Sequence, residues 1–113
     1  MKVIKIWHDD VRPPPSSEWV WAPNNDVAKD LFKQYRVEEI SMDHDLGARP
    51  EDGMLARGQS EDNGAVLAKW MVENLSQLPE KITIHSWNPG GAARMADILA
   101  DAGASVLISP YSS

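Results

Sequence analysis

The chain has 113 residues, enough for one domain with a self-standing core and little beyond it. Apolar residues make up 42% and charged residues 25%, with no cysteine and no long apolar run, which excludes disulfide frameworks, thiolate metal sites, membrane spans and signal peptides. A net charge of −6 argues against broad binding to duplex DNA, although a small anionic ligand stays open if a metal or local arginines neutralise it. A cytoplasmic location is expected.

Strands and helices alternate along the chain. Val3 to Trp7 is a short apolar strand, ended by Asp9-Asp10 and then by Pro13-Pro14-Pro15, which cannot continue a ladder. Trp19-Val20-Trp21 is a brief second strand with both indoles on one face. Asn25-Asp26 reads as a helix N-cap ahead of Val27, Ala28, Leu31, Phe32 and Tyr35 at helical spacing. Val37 to Met42 is a third strand. Residues 46–63 form a long Gly-, Asp-, Arg- and Pro-containing loop, a length usually tied to function, here as a closing loop over a ligand.

Asp62-Asn63-Gly64 opens a second helix with Val66, Leu67, Trp70, Met71 and Leu75 as its apolar positions. Lys81 to His85 is a strand, Gly91 to Ala102 a helix ended near Gly103, and Val106-Leu107-Ile108 a last strand. This alternation predicts one α/β domain over 1–113: a doubly wound parallel sheet of order 2-1-3-4-5, helices on both faces, three layers. Trp7 and Trp70 are expected in the core.

All three histidines lie in clusters that follow apolar runs: Ile-Trp-His-Asp-Asp at 6–10, Met-Asp-His-Asp at 42–45 and Ile-His-Ser at 84–86. These clusters end strands one, three and four, so a doubly wound sheet gathers them at its carboxyl edge, where ligands bind. Adjacent strands lie about 4.8 Å apart, close enough for Asp9, Asp10, Asp43 and Asp45 to share a divalent cation. Carboxylates alone suit Mg²⁺ or Mn²⁺. The competing structural reading has Asp9, Asp10 and Asp45 capping loops and helices.

His44 and His85 are candidates for acid–base chemistry, since imidazole exchanges protons near neutral pH. His85 could equally be a core histidine bonded to a backbone carbonyl. His8 carries no assigned role and reads as a solvent-exposed neighbour.

His85-Ser86-Trp87-Asn88-Pro89-Gly90-Gly91 runs from a strand end through a Gly-rich turn into a helix. Such a turn can aim N–H groups and a helix dipole at one phosphate, with Ser86 donating to it and Arg94 one turn on. Asn88, Gly90 and Gly91 would line that seat, Trp87 could stack a base, and Arg12, Arg49 and Arg57 leave the same edge in loops. The alternative is an ordinary strand–helix turn that needs these residues only for its shape.

Three segments in this order, Trp-x-Asp-Asp-x-Arg-x-Pro-Pro, Ile-Ser-Met-Asp-His-Asp-Leu-Gly and His-Ser-Trp-Asn-Pro-Gly-Gly-Ala-Ala-Arg-Met, resemble the cyclic-phosphate-processing receiver-like family, over about residues 3–98. The resemblance implies a flavodoxin-like fold and action on cyclic phosphates, in a nucleotide or at an RNA end. In receiver terms Asp9 and Asp10 match the Mg²⁺-binding pair, Asp43 the phosphoacceptor and Ser86 the hydroxyl after the fourth strand. Ser109-Pro110 stands where a receiver carries Lys-Pro, which weighs against phospho-aspartate signalling. The expected activity is a metal-assisted phosphoesterase whose partners are small phosphate ligands or nucleic-acid ends. A regulatory module phosphorylated on Asp43 and a non-catalytic cyclic-nucleotide binder are the competing classes.

Overall fold

The computed structural model describes residues 2–44, 63–86 and 88–109. Five strands, β1 (Val3–His8), β2 (Trp19–Ala22), β3 (Arg36–Met42), β4 (Lys81–Ile84) and β5 (Val106–Ile108), pair in parallel in the order β2-β1-β3-β4-β5. Three helices connect them: α1 (Asn25–Gln34), α2 (Gly64–Asn74) and α3 (Pro89–Asp101). The sheet order and the alternation of elements agree with the sequence reading. None of these helices is long and apolar enough to cross a membrane.

Helix boundaries follow local chemistry. Asn24, in extended conformation, caps α1 by accepting from the Val27 N–H, one residue earlier than expected. Asn63 caps α2 through the Ala65 and Val66 N–H groups. α3 begins two residues before the expected Gly91, because Pro89 has its φ already set for a first helical turn and needs no donor there. It stops ahead of Gly103, whose φ of +89° suits glycine alone.

Among the described residues the helices stand on one face of the sheet, where the sequence reading expects both. Buried apolar strand residues are the even-numbered ones, among them Ile4, Ile6, Ile40, Met42, Ile82 and Ile84, and they pack against Ala28, Leu67, Met71, Met95 and Leu99 of the helices. All three described helices therefore cover one face. Handedness explains it: the β2→β3, β3→β4 and β4→β5 crossovers all run in the same direction across the sheet, and a right-handed crossover then puts each helix on the same side. Only the β1→β2 connection runs the other way, and Pro13-Pro14-Pro15 stands where its helix would be.

The second face carries Lys5, Trp7, Trp19 and Glu39 instead. In register across β1, β3 and β4, Lys5 and Lys81 flank Glu39, each 3.6 Å from one of its carboxylate oxygens. Lys5 also bonds Glu18 at 2.7 Å, and that contact holds the Lys5 ammonium above its ordinary pKa and the Glu18 carboxyl below its own. Trp7 is half-buried here rather than in the core, and Trp70 is half-buried against Phe32 and the core edge.

Gly64 begins α2 where a Cβ would collide with the Asp43 carbonyl and the Met95 side chain. Gly64→Ala is expected to lower the unfolding free energy by about 3 kcal/mol, the upper part of the usual overpacking range. Gly90→Ala, with nothing nearer than 3.7 Å, should raise it by up to about 1 kcal/mol through helix propensity. Urea denaturation of the two variants measures both.

Candidate functional site

The parallel ladder continues one residue beyond the strands. Asp9 N–H bonds the Ala22 carbonyl, Asp43 N–H the His8 carbonyl and His85 N–H the Met42 carbonyl. Asp9, Asp43 and His85 thus stand in one row at the carboxyl edge, flanking the point where the strand order reverses. Alternation sends them to the helix-free side of the sheet, while His44 turns to the helix side and meets α3. The strand-end residues thus turn to both sides of the sheet's edge, in two groups.

The first group is acidic. Asp9, Asp10 and Asp43 can each place a carboxylate oxygen within 4.8 Å of the others, with Asp9 and Asp43 buried. Three such charges repel by on the order of 3 kcal/mol per pair at an effective dielectric of about 20. These three residues could hold a metal ion. They match the sequence expectation, whereas Asp45, Trp87, Arg49, Arg57 and the 46–63 loop up to residue 62 lie outside the described residues.

Asp9 is held tightly. Its Oδ1 accepts from the Val11 and Arg12 N–H groups at 2.9 Å each, and its Oδ2 pairs with His85 Nε2 at 3.1 Å. Arg12 therefore fixes this loop through its backbone, its carbonyl taking the Trp7 Nε1–H at 2.9 Å while the residue stays exposed. On its other side the His85 ring bonds Ser41 Oγ through Nδ1 at 2.6 Å. A carboxylate only accepts, so the network assigns the His85 proton to Nε2, and the Ser41 hydroxyl then donates to Nδ1. Trp7 lies flat on this ring, 4.1 Å between centroids at 2°. His85 is buried at 4% exposure, with its ring bonded to the Ser41 and Asp9 side chains.

The second group surrounds His44. Asn88 Oδ1 caps α3 at the Gly91 N–H (2.9 Å), which turns its Nδ2 toward His44 Nδ1 at 3.4 Å. The same cap spends the Gly91 N–H that the sequence reading had assigned to phosphate. Ser86 Oγ accepts from the Asn88 N–H at 3.0 Å, leaving its own hydrogen to donate. Gly91 is needed for contact: a Cβ there would strike the His44 ring. Gly90 is exposed on the turn, and Arg94 stands beyond it on the flank of α3, lining a cavity with His44.

His8 is corrected from exposed neighbour to fully buried strap. Its Nε2 bonds Asn25 Oδ1 at 2.7 Å, and Asn25 Nδ2 donates to the Asn63 carbonyl at 3.0 Å. β1, α1 and the start of α2 are joined by this chain, and Gly64 N–H meets the His44 carbonyl at 2.8 Å beside it. Ser41, Trp7, Asn25 and Asn63 are the site residues that sequence reasoning missed. Ser41 alone left a signal: a serine two positions before Asp43 on a strand shares its face.

A family model described as the cyclic-phosphate processing receiver domain matches residues 4–101. The chain belongs to that family, and the five-stranded sheet has the receiver order. No curated protein matches it.

Asp9→Ala deprives three donors of their acceptor, one of them on the buried His85 ring. It should cost about 1–3 kcal/mol of stability, against under about 0.5 kcal/mol for exposed Val11→Ala, as read by thermal unfolding without added metal.

Proposed function

We propose that this receiver-like domain hydrolyses cyclic phosphate esters, using a divalent cation held by Asp9, Asp10 and Asp43 and the imidazole of His44. The observation that supports it best is the carboxylate triad at the strand ends, with His44, the chain neighbour of Asp43, held against α3 by Asn88 and Gly91. Three hard oxygen donors of this kind fit Mg²⁺ or Mn²⁺. Such an ion, when bound, polarises a phosphoryl oxygen and lowers the pKa of water.

The chain's own groups divide the remaining work. Water attacks phosphorus, one ring P–O bond breaks, and the departing oxygen must gain a proton while the water loses one. Asn88 Nδ2 faces Nδ1, and in the tautomer that this contact suits, His44 would donate from Nε2 to the departing oxygen. Asp10 or Asp43 takes the proton of the water. The Ser86 hydroxyl, with its hydrogen uncommitted, seats a phosphoryl oxygen. His85 acts through Asp9: with both ring nitrogens bonded, it orients the carboxylate rather than meeting the ester.

The ligand in this reading is a small cyclic phosphate or a nucleic-acid end, met in the cytoplasm. Turnover separates hydrolysis from simple sequestration of the ligand.

Hydrolysis of a panel of 2′,3′- and 3′,5′-cyclic phosphates with Mg²⁺ or Mn²⁺ tests the assignment. His44→Ala should lower kcat by about 10²–10⁴-fold, while His85→Ala should chiefly weaken metal affinity, by about 10–100-fold. Unchanged hydrolysis in His44→Ala would sink the acid–base assignment. In the same preparation, Mg²⁺ at 100 times its dissociation constant should stabilise the wild type by about 2.7 kcal/mol. Asp43→Asn should lose that response, and in metal-free buffer it should unfold at a higher temperature than wild type because one repulsive charge is gone.

A further inference from the structure

A cavity of about 390 Å³ opens between α2 and α3, directly beside His44. Asn63, Lys69 and Arg94 line it with His44, and no carboxylate does among the described residues. That is unusual in a chain of net charge −6. Two other cavities, at the opposite edge of the sheet, both include Glu80.

Lys69 and Arg94 come from different helices, and both are exposed with no ion pair or hydrogen bond to another described side chain. Acidic neighbours are available one turn on, Glu73 after Lys69 and Asp97 after Arg94, yet neither pairs within 4.0 Å. Arg94 is three residues beyond Gly91, which carries the His44 ring, or about 4.5 Å along the helix axis. Two cations without an ion-pair partner among the described residues thus line a hollow that shares His44 with the proposed phosphate seat.

We infer that this cavity is a subsite for a second phosphate group of the substrate, so that the preferred ligand carries another phosphate besides the cyclic one. The inference rests on the reading of the site as a cyclic-phosphate site and adds its substrate class. A planar guanidinium and an ammonium on opposite walls suit a tetrahedral oxyanion. Both are exposed, so salt should weaken their contribution. The second phosphate could be the diester linking a further nucleotide or a terminal 5′-phosphate, and the two differ in charge and reach.

The experiment compares a nucleoside 2′,3′-cyclic phosphate, its 5′-phosphorylated form, and a dinucleotide ending in the same cyclic phosphate. Dissociation constants by calorimetry and kcat/KM by product formation are measured in wild type, Lys69→Gln, Arg94→Gln and the double variant. A second phosphate should improve wild-type binding by about tenfold at low salt, as expected of two partly screened charge-assisted contacts. Each single variant should lose part of that gain and the double variant nearly all of it, with binding of the single-phosphate compound changed less than about twofold. Gain with the dinucleotide alone identifies a nucleic-acid end, and gain with the 5′-phosphate alone a mononucleotide.

Equal wild-type affinity for all three compounds would overturn the subsite, as would an equal loss for all three in the double variant. Turnover without the gain rejects the subsite and leaves hydrolysis standing. The gain without turnover does the reverse, and no binding by any compound rejects both.

Discussion

The register between β1 and β3 is the constraint on which the rest depends. His8 pairs with Met42, and the ladder runs one residue further through the Asp43 N–H to the His8 carbonyl. Because side chains alternate, this pairing sends Asp9 and Asp43 to one side of the edge and His8 to the other. A slip of one residue in either strand would turn that strand over, burying its carboxylate under the helices and exposing Ile6 or Ile40. The apolar core therefore specifies the acidic site indirectly. Burying a single large aliphatic side chain contributes about 1.5–3 kcal/mol, and several of them on this face vote for the same register.

Chain direction has a second consequence. An all-parallel sheet ordinarily has helices on both faces, and here the described helices cover one. The open face is made tolerable to water by the Lys5–Glu39–Lys81 row and by the Trp7–Trp19 pair, ring centroids 5.9 Å apart. The β1–β2 connection brings the Arg12 carbonyl to Trp7, and the Trp21 indole reaches the Asp9 carbonyl at 2.6 Å. A proline loop in place of a helix thereby packs tryptophans around the Asp9 end of the site. Trp7 belongs to both systems, since its ring is the surface on which His85 lies.

What was legible in the sequence is what periodicity and strand ends control. Strand order, the placement of Asp9, Asp10 and Asp43 and the helix start at Asn63 follow from local patterns and crossover rules, whereas the start at Pro89 was not read. That the described helices share one face follows from Pro13–Pro15, which deny a helix to the one crossover that serves the second face. The partners of the histidines were not legible, because they depend on contacts between residues 17 to 76 positions apart. Likewise the capping bond from Asn88 to Gly91 removes a donor from the phosphate seat, and no spacing rule announces that. Lys69 falls on an exposed helix face, where a lysine carries no signal until Arg94 is seen across the cavity.

Three histidines at three strand ends invite one shared role, and their partners assign three. A neutral imidazole has one donor and one acceptor. His8 gives its donor to an asparagine amide that is itself tied to the α2 cap, so it joins elements. His85 gives its donor to a carboxylate of the triad and takes a hydroxyl on the other nitrogen, so it orients. His44 has its acceptor nitrogen turned to Asn88 and its ring resting on a glycine, and it borders a cavity that a ligand can enter. Under the proposed hydrolysis, acid–base chemistry at the edge of the sheet falls to His44, which among the described residues borders a cavity.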